Sequence, residues 1–148
     1  MNTAALLRPR QRGTTAVEFA LVATVFFTLV IGMMEMGRVL FYWTTAAEAT
    51  RLGARMAAVC DVNEANIQTK MHNMLTVLPT ASITVTYTPS GCDISSCTYV
   101  TVSIANNVSI PTLVPIMPLN LTLPDFSTTL PRESMLSTVS GNSNPTCN

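Results

Sequence analysis

The residues able to do chemistry in this chain are few and unevenly placed. Four cysteines, Cys60, Cys92, Cys97 and Cys147, all follow a long apolar run, where an oxidising compartment would let them pair. One carboxylate, Glu18, lies inside that run, five residues after Gly13. His72 is the only histidine and has no cysteine or second histidine at ligand spacing, so a capping or solvent-facing role is expected of it. Cys92 and Cys97 have no second pair of the CxxC kind, which leaves zinc without support. The chain contains no GxSxG and no phosphate-cradling glycine loop; Asp93, Asp125 and Glu133 could meet in space, but nothing in their spacing suggests it. The expectation is therefore no enzyme, no metal and no cofactor. The nine methionines are spread out and read as packing residues.

The elements that must position these groups begin with the apolar run. Residues 1–13, MNTAALLRPRQRG, carry Arg8, Arg10 and Arg12 and no acid. From Thr14 to Met34 follow twenty-one residues whose only charge is Glu18. As a helix they would extend roughly 31 Å, close to the thickness of a hydrocarbon core. Charged residues make up 11% of the chain against about 25% in an ordinary soluble domain, while 48% are hydrophobic, a balance suited to lipid or to burial against neighbours. Arginines before the span place the N-terminus in the cytoplasm. The basic residues form no stripe with interleaved aromatics, so no nucleic-acid partner is expected. A charge at the centre of a membrane helix costs about 2.5–3.5 kcal/mol. Glu18 lies nearer the interface, where the cost is smaller.

No proline interrupts residues 11–78, so the helix is expected to continue past the membrane to a break near residues 60–63, with Asp61 and Asn63 as capping residues of a second helix reaching Leu78. Val39, Tyr42, Ala46, Ala49, Gly53, Met56 and Cys60 recur at alternating spacings of three and four, a single seam with small residues where another backbone can approach. Phe41, Tyr42 and Trp43 suit either an aromatic anchor at the outer interface or the cover of a globular head. Beyond Pro79 the period changes to two. SITVTYT (82–88) and TYVTVSI (98–104) read as half-buried antiparallel strands joined by the turn-rich PSGCDISSC. The four residues between Cys92 and Cys97 suit a disulfide closing this loop, worth roughly 2 kcal/mol by loop entropy. Cys147 and Cys60 can form a second bridge, although four cysteines allow three connectivities. After Asn107 the prolines at 111, 115, 118, 124 and 131 exclude long regular elements, leaving one short edge strand around Leu119, Leu121 and Leu123. The final GNSNPTCN reads as a mobile tail.

Residues 10–55, RQRGTTAVEFALVATVFFTLVIGMMEMGRVLFYWTTAAEATRLGAR, resemble the TadE-like minor pilins, or pseudopilins, of the tight adherence (Flp, type IV-like) pilus system. The glycine before the helix, the Ala-Val-Glu-Phe-Ala run, the long aliphatic stretch and Glu-Met-Gly-Arg at 35–38 carry the resemblance, which covers about a third of the chain. It implies a structural subunit or initiator of an adhesion fibre, cut by a prepilin peptidase between Gly13 and Thr14. Partners would be the inner membrane, other pilin subunits, an assembly platform and its ATPase. Loss of the leader would remove three arginines, leave five basic residues against eight acidic, and expose an α-amine on Thr14. In pilin-like families the glutamate at the spacing of Glu18 attracts that amine on a neighbouring subunit.

The expected architecture is α+β. Its parts are a basic leader at 1–13, the membrane part of a long pilin-like helix at 14–34, a periplasmic helical extension at 35–78, and a β-rich head with a disulfide-closed hairpin and a Pro-rich C-terminal segment at 79–148. The expected location is the bacterial inner membrane, single-pass, with the head in the periplasm and possible transfer into an extracellular pilus. The alternative is a membrane-anchored or secreted periplasmic protein without a fibre role. For secretion, Ala47-Glu48-Ala49 offers a cleavage site, but it lies about thirteen residues beyond a run too long for a signal peptide.

Overall fold

The computed structural model describes residues 12–112 and 121–148. The fold is α+β: a long apolar N-terminal helix, then small antiparallel sheets closed by disulfides. Helix α1 runs Arg12–Val59, and α2 runs Asn66–Met74. A 3-10 turn, Thr80–Ser82, leads into β1 (Ile83–Thr88), and β2 (Tyr99–Ile104) returns beside it. The strands β3 (Ser109–Ile110), β4 (Leu121–Thr122), β5 (Phe126–Pro131), β6 (Thr138–Val139) and β7 (Asn142–Ser143) complete the chain. The chain divides into two compact units, Met1–Gly37 and Arg38–Asn148.

In the first unit α1 is apolar on every side. Leu21, Val25, Val22, Phe19 and Phe27 follow one another around the helix at about 100° per residue, and all are exposed. The polar side chains satisfy themselves along the helix: the Thr24 hydroxyl donates to the Ala20 carbonyl at 2.7 Å and Thr28 to Thr24 at 2.8 Å. Such bonding suits lipid, which offers no partner to a backbone or side-chain polar group.

In the second unit the seam read from the sequence is the buried face of α1. Ala46, Ala49 and Cys60 are fully buried, Val39, Gly53 and Met56 are buried, and Tyr42 is half-buried against the same core. Opposite lies an antiparallel sheet in the order β1-β2-β5, with β2 central. Period-two alternation turns Ile83, Val85 and Tyr87 from β1 and Val100, Val102 and Ile104 from β2 to the interior. Strand β5 adds Phe126, Thr128 and Leu130 to this face. Thr128 is polar yet satisfied, because its hydroxyl donates to that of the buried Thr50 at 3.1 Å. The prolines did not exclude this six-residue strand. Pro131 ends it on the outer edge of the sheet, where a missing N–H costs little.

The turn between the helices differs from the expected capping. Ala65 occupies the N-cap of α2 with no side-chain cap. Asn63 takes a left-handed φ of 63° and its N–H donates to the Tyr87 hydroxyl at 3.1 Å, while Asp61 Oδ1 accepts from the Ser137 N–H at 3.2 Å. Helix α2 closes at Met74, short of Leu78. Leu75 is extended, and His72 Nδ1 lies 2.7 Å from the Leu78 carbonyl, tying down the following turn.

The terminal segment is built into the head. Leu136 N–H donates to the Val59 carbonyl at 2.7 Å and Glu133 N–H to Ala58 at 2.9 Å, so residues 133–136 satisfy carbonyls that the end of α1 leaves open. Ser140 and Gly141, both at positive φ, turn β6 into β7. In place of a loose tail, Cys147 is buried, with its carbonyl held by Asn66 Nδ2 at 2.9 Å. The strand expected near residue 119 is the two-residue β4 paired with β3, and Leu119 itself lies outside the described residues, as do Pro115 and Pro118.

Candidate assembly helix and disulfide-closed head

Gly13 is the second residue of α1, and a side chain added there would meet nothing within 4 Å. The peptide bond after it is exposed and helical. A protease that binds extended backbone must open the first turn. Glycine lowers that cost, being about 1 kcal/mol worse than alanine in a helix. Thr14 and Glu18 follow on α1, both exposed, with Glu18 roughly 7 Å along the axis from Gly13. Among the described residues no ion pair reaches Glu18. Arg8 and Arg10 lie outside the described residues, and Arg12 is the residue at which α1 opens. The helix is long and apolar enough to cross a membrane, and no part of its most apolar window is buried.

Residues 13–55 match the family model for TadE-like protein. The chain carries a TadE-like segment. No curated protein and no solved structure matches the chain significantly. The TadE-like segment runs from Gly13 to Arg55 and so lies wholly within α1. It relates the chain to the TadE-like pilins of the Tad pilus system, a structural family without catalysis, and the apolar helix is suited to membrane association.

Past the TadE-like segment the geometry is that of a stapled head. Cys60 pairs with Cys147, Cα atoms 5.6 Å apart, and Cys92 with Cys97 at 5.0 Å. The first bridge joins the residue after α1 to the C-terminal segment, and the second closes the β1–β2 loop. Within that loop the Asp93 carboxylate accepts from the N–H groups of Ser95 and Ser96 at 2.9 and 2.8 Å and from both their hydroxyls. These bonds, led by the serine hydroxyls, hold Asp93 far below the usual carboxylate range. The serines two and three residues after an aspartate are an Asx-turn signal that the sequence reading passed over.

The structure draws Asp93 into its own turn, and no hydrogen bond or ion pair joins it to Asp125 or Glu133 among the described residues. No group of three potential metal ligands occurs among them either. A shallow groove is lined by Glu48, Arg51, Leu52, Arg55 and Met74, and its one carboxylate is already bound to Arg51 at 2.7 Å. The aromatic triplet divides its duties. Tyr42 packs against the core, whereas Phe41 and Trp43 remain exposed.

Proposed function

We propose that this protein is a minor pilin or pseudopilin, a structural subunit or initiator in the assembly of a Tad (Flp, type IV-like) pilus. A prepilin peptidase removes residues 1–13 by cutting between Gly13 and Thr14. The mature helix lies in the inner membrane with its start at the cytoplasmic face and the head in the periplasm, from where the subunit is taken into the fibre. Other pilin subunits, the assembly platform and its ATPase are the partners. The observation that carries this reading is the pairing of an all-round exposed apolar helix with one carboxylate near its start that finds no counter-charge within the described chain.

Glu18 then pairs with the Thr14 α-amine of an adjacent subunit. In a low-dielectric bundle, a wrong stagger would leave both charges unpartnered, so the pair selects register more than it adds stability. The head supports the topology independently: two disulfides belong to an oxidising compartment, and both lie beyond the apolar span.

Cleavage as a secreted protein after Ala49 is disfavoured by the head itself. Ala46 and Ala49 are fully buried within the last third of α1, and a cut there would remove about half the seam that the sheet packs on. The deciding experiment is N-terminal sequencing and intact mass of the membrane-extracted protein, with and without the peptidase, followed by a search for it in sheared fibres. A mature start at Thr14 is expected. A start near Thr50 would mean secretion, and a retained Met1 beside a working peptidase would mean a permanent anchor; either overturns the proposal.

A further inference from the structure

We propose that the Asp93 turn orders disulfide pairing, closing Cys92–Cys97 first and so leaving Cys60 and Cys147 with only each other. The observed connectivity is nested: the 60–147 bridge spans 87 residues and encloses a bridge spanning 5. In an unfolded chain, closure falls off as roughly the three-halves power of loop length. Cys60 to Cys92 spans 32 residues, so Cys60 meets Cys92 about four to five times as often as it meets Cys147. The long bridge therefore forms cleanly only after Cys92 and Cys97 have left the competition.

Proximity alone favours Cys92–Cys97, five residues apart, about sixteenfold over Cys60–Cys92 in a flexible chain, and the loop adds a turn that holds the pair together. Besides the four bonds to its carboxylate, Asp93 donates its N–H to Ser96 Oγ at 2.9 Å and accepts the Cys97 N–H on its carbonyl at 3.1 Å. Cys92 N–H donates to the Pro89 carbonyl at 3.2 Å. All of these partners lie within residues 89–97, so the turn is available before the head exists. It sets the two Cα atoms at a separation that a disulfide spans. Among the described residues the one side-chain hydrogen bond into this turn from outside, Arg132 to the Ile94 carbonyl at 2.6 Å, comes from just after β5 and belongs to the finished head.

The chemistry is ordinary thiol–disulfide exchange with a disulfide-bearing oxidant. One cysteine thiolate attacks a sulfur of the oxidant, giving a mixed disulfide and releasing one oxidant thiolate. The second cysteine thiolate then attacks the first cysteine's sulfur and expels the other oxidant thiolate. The pair has lost two protons and two electrons, and the oxidant has been reduced to thiols. Once the head closes, Cys60, Cys97 and Cys147 are all buried, which shuts off further exchange.

The test is oxidative refolding of the full chain. Reduced, denatured protein is diluted into detergent micelles with oxidised glutathione, quenched by alkylation at intervals, and its disulfides mapped by peptide mass. The wild type should form Cys92–Cys97 before Cys60–Cys147. Asp93→Ala should raise the yield of Cys60–Cys92 and Cys60–Cys97 species severalfold and delay the long bridge, and Asp93→Asn, which still makes the turn, should restore most of the order. In Asp93→Ala combined with Cys92→Ala and Cys97→Ala, the long bridge should regain its wild-type rate. Unchanged order and yield in Asp93→Ala overturns the proposal. So does a long bridge that stays slow in the triple variant, because Asp93 would then act on folding and not on pairing.

Discussion

A methyl group placed on Gly53 would sit 2.5 Å from Sδ of Met71 and 3.2 Å from Cγ1 of Val102. Helix α1 therefore meets α2 and the central strand through bare backbone. Met71 is fully buried, so its sulfur can yield only by repacking against its neighbours. Gly53→Ala gains about 1 kcal/mol of helix propensity but overpacks this contact, at a cost of about 1–3 kcal/mol. A net loss of about 1 kcal/mol in urea unfolding of the head is expected. The double variant with Met71→Ala should show positive coupling between the two sites, and strict additivity would mean that the contact is loose.

The two bridges should differ in weight. Loop entropy assigns about 4–5 kcal/mol to a closure the length of Cys60–Cys147 and about 2 kcal/mol to one as short as Cys92–Cys97. Cys147→Ser should thus lower the stability of the head well beyond Cys92→Ser with Cys97→Ser. Chemical unfolding of both variants under oxidising conditions, compared with wild type, measures the difference.

Tyr87 makes the head sensitive to alkali. Its partial burial raises its pKa above the ordinary value near 10, and the charge of Glu64 acts the same way, while the N–H of Asn63 on its hydroxyl works in opposition. The neutral phenol is the form the fold prefers. Its contribution is complete below pH 10 and is lost as pH rises through the raised value. Tyr87→Phe gives up the bond to Asn63 and should start from a lower melting temperature. That temperature should then decline less steeply than that of wild type between pH 9 and 11, and parallel declines would remove Tyr87 from the account.

Glu18→Ala should leave cleavage after Gly13 largely intact, because the side chain lies a turn beyond the scissile bond. Incorporation into fibres alongside wild-type subunits should drop severalfold. Immunoblots of sheared fibres against whole membranes give the ratio, and normal incorporation of the variant rules out the proposed pairing with the Thr14 amine.

Much of the fold was legible because it is written in local periodicity. The three-four spacing from Val39 to Cys60 is the buried seam, and the alternation in 82–88 and 98–104 gives β1 and β2 with the expected faces inward. The TadE-like character of α1 is likewise contained in contiguous residues. The capping of α2 was misread because Asp61 and Asn63 are good capping residues by type but are engaged by Ser137 and Tyr87, distant in sequence.

What the amino-acid order determined alone is therefore the apolar helix, the Glu18 carboxylate near its start and the β1–β2 hairpin, since each is decided by neighbours within a few residues. Tertiary structure decided the rest. Thr128 hides β5 by placing a hydroxyl on an inward position, which is tolerable only because Thr50 receives its hydrogen bond across 78 residues. The choice among three disulfide connectivities and the cover over the end of α1 depend on contacts of the same range, between Cys60 and Cys147 and between Val59 and Leu136. Pairings so distant leave no periodic trace in the chain, because they are selected by the packing of the whole head.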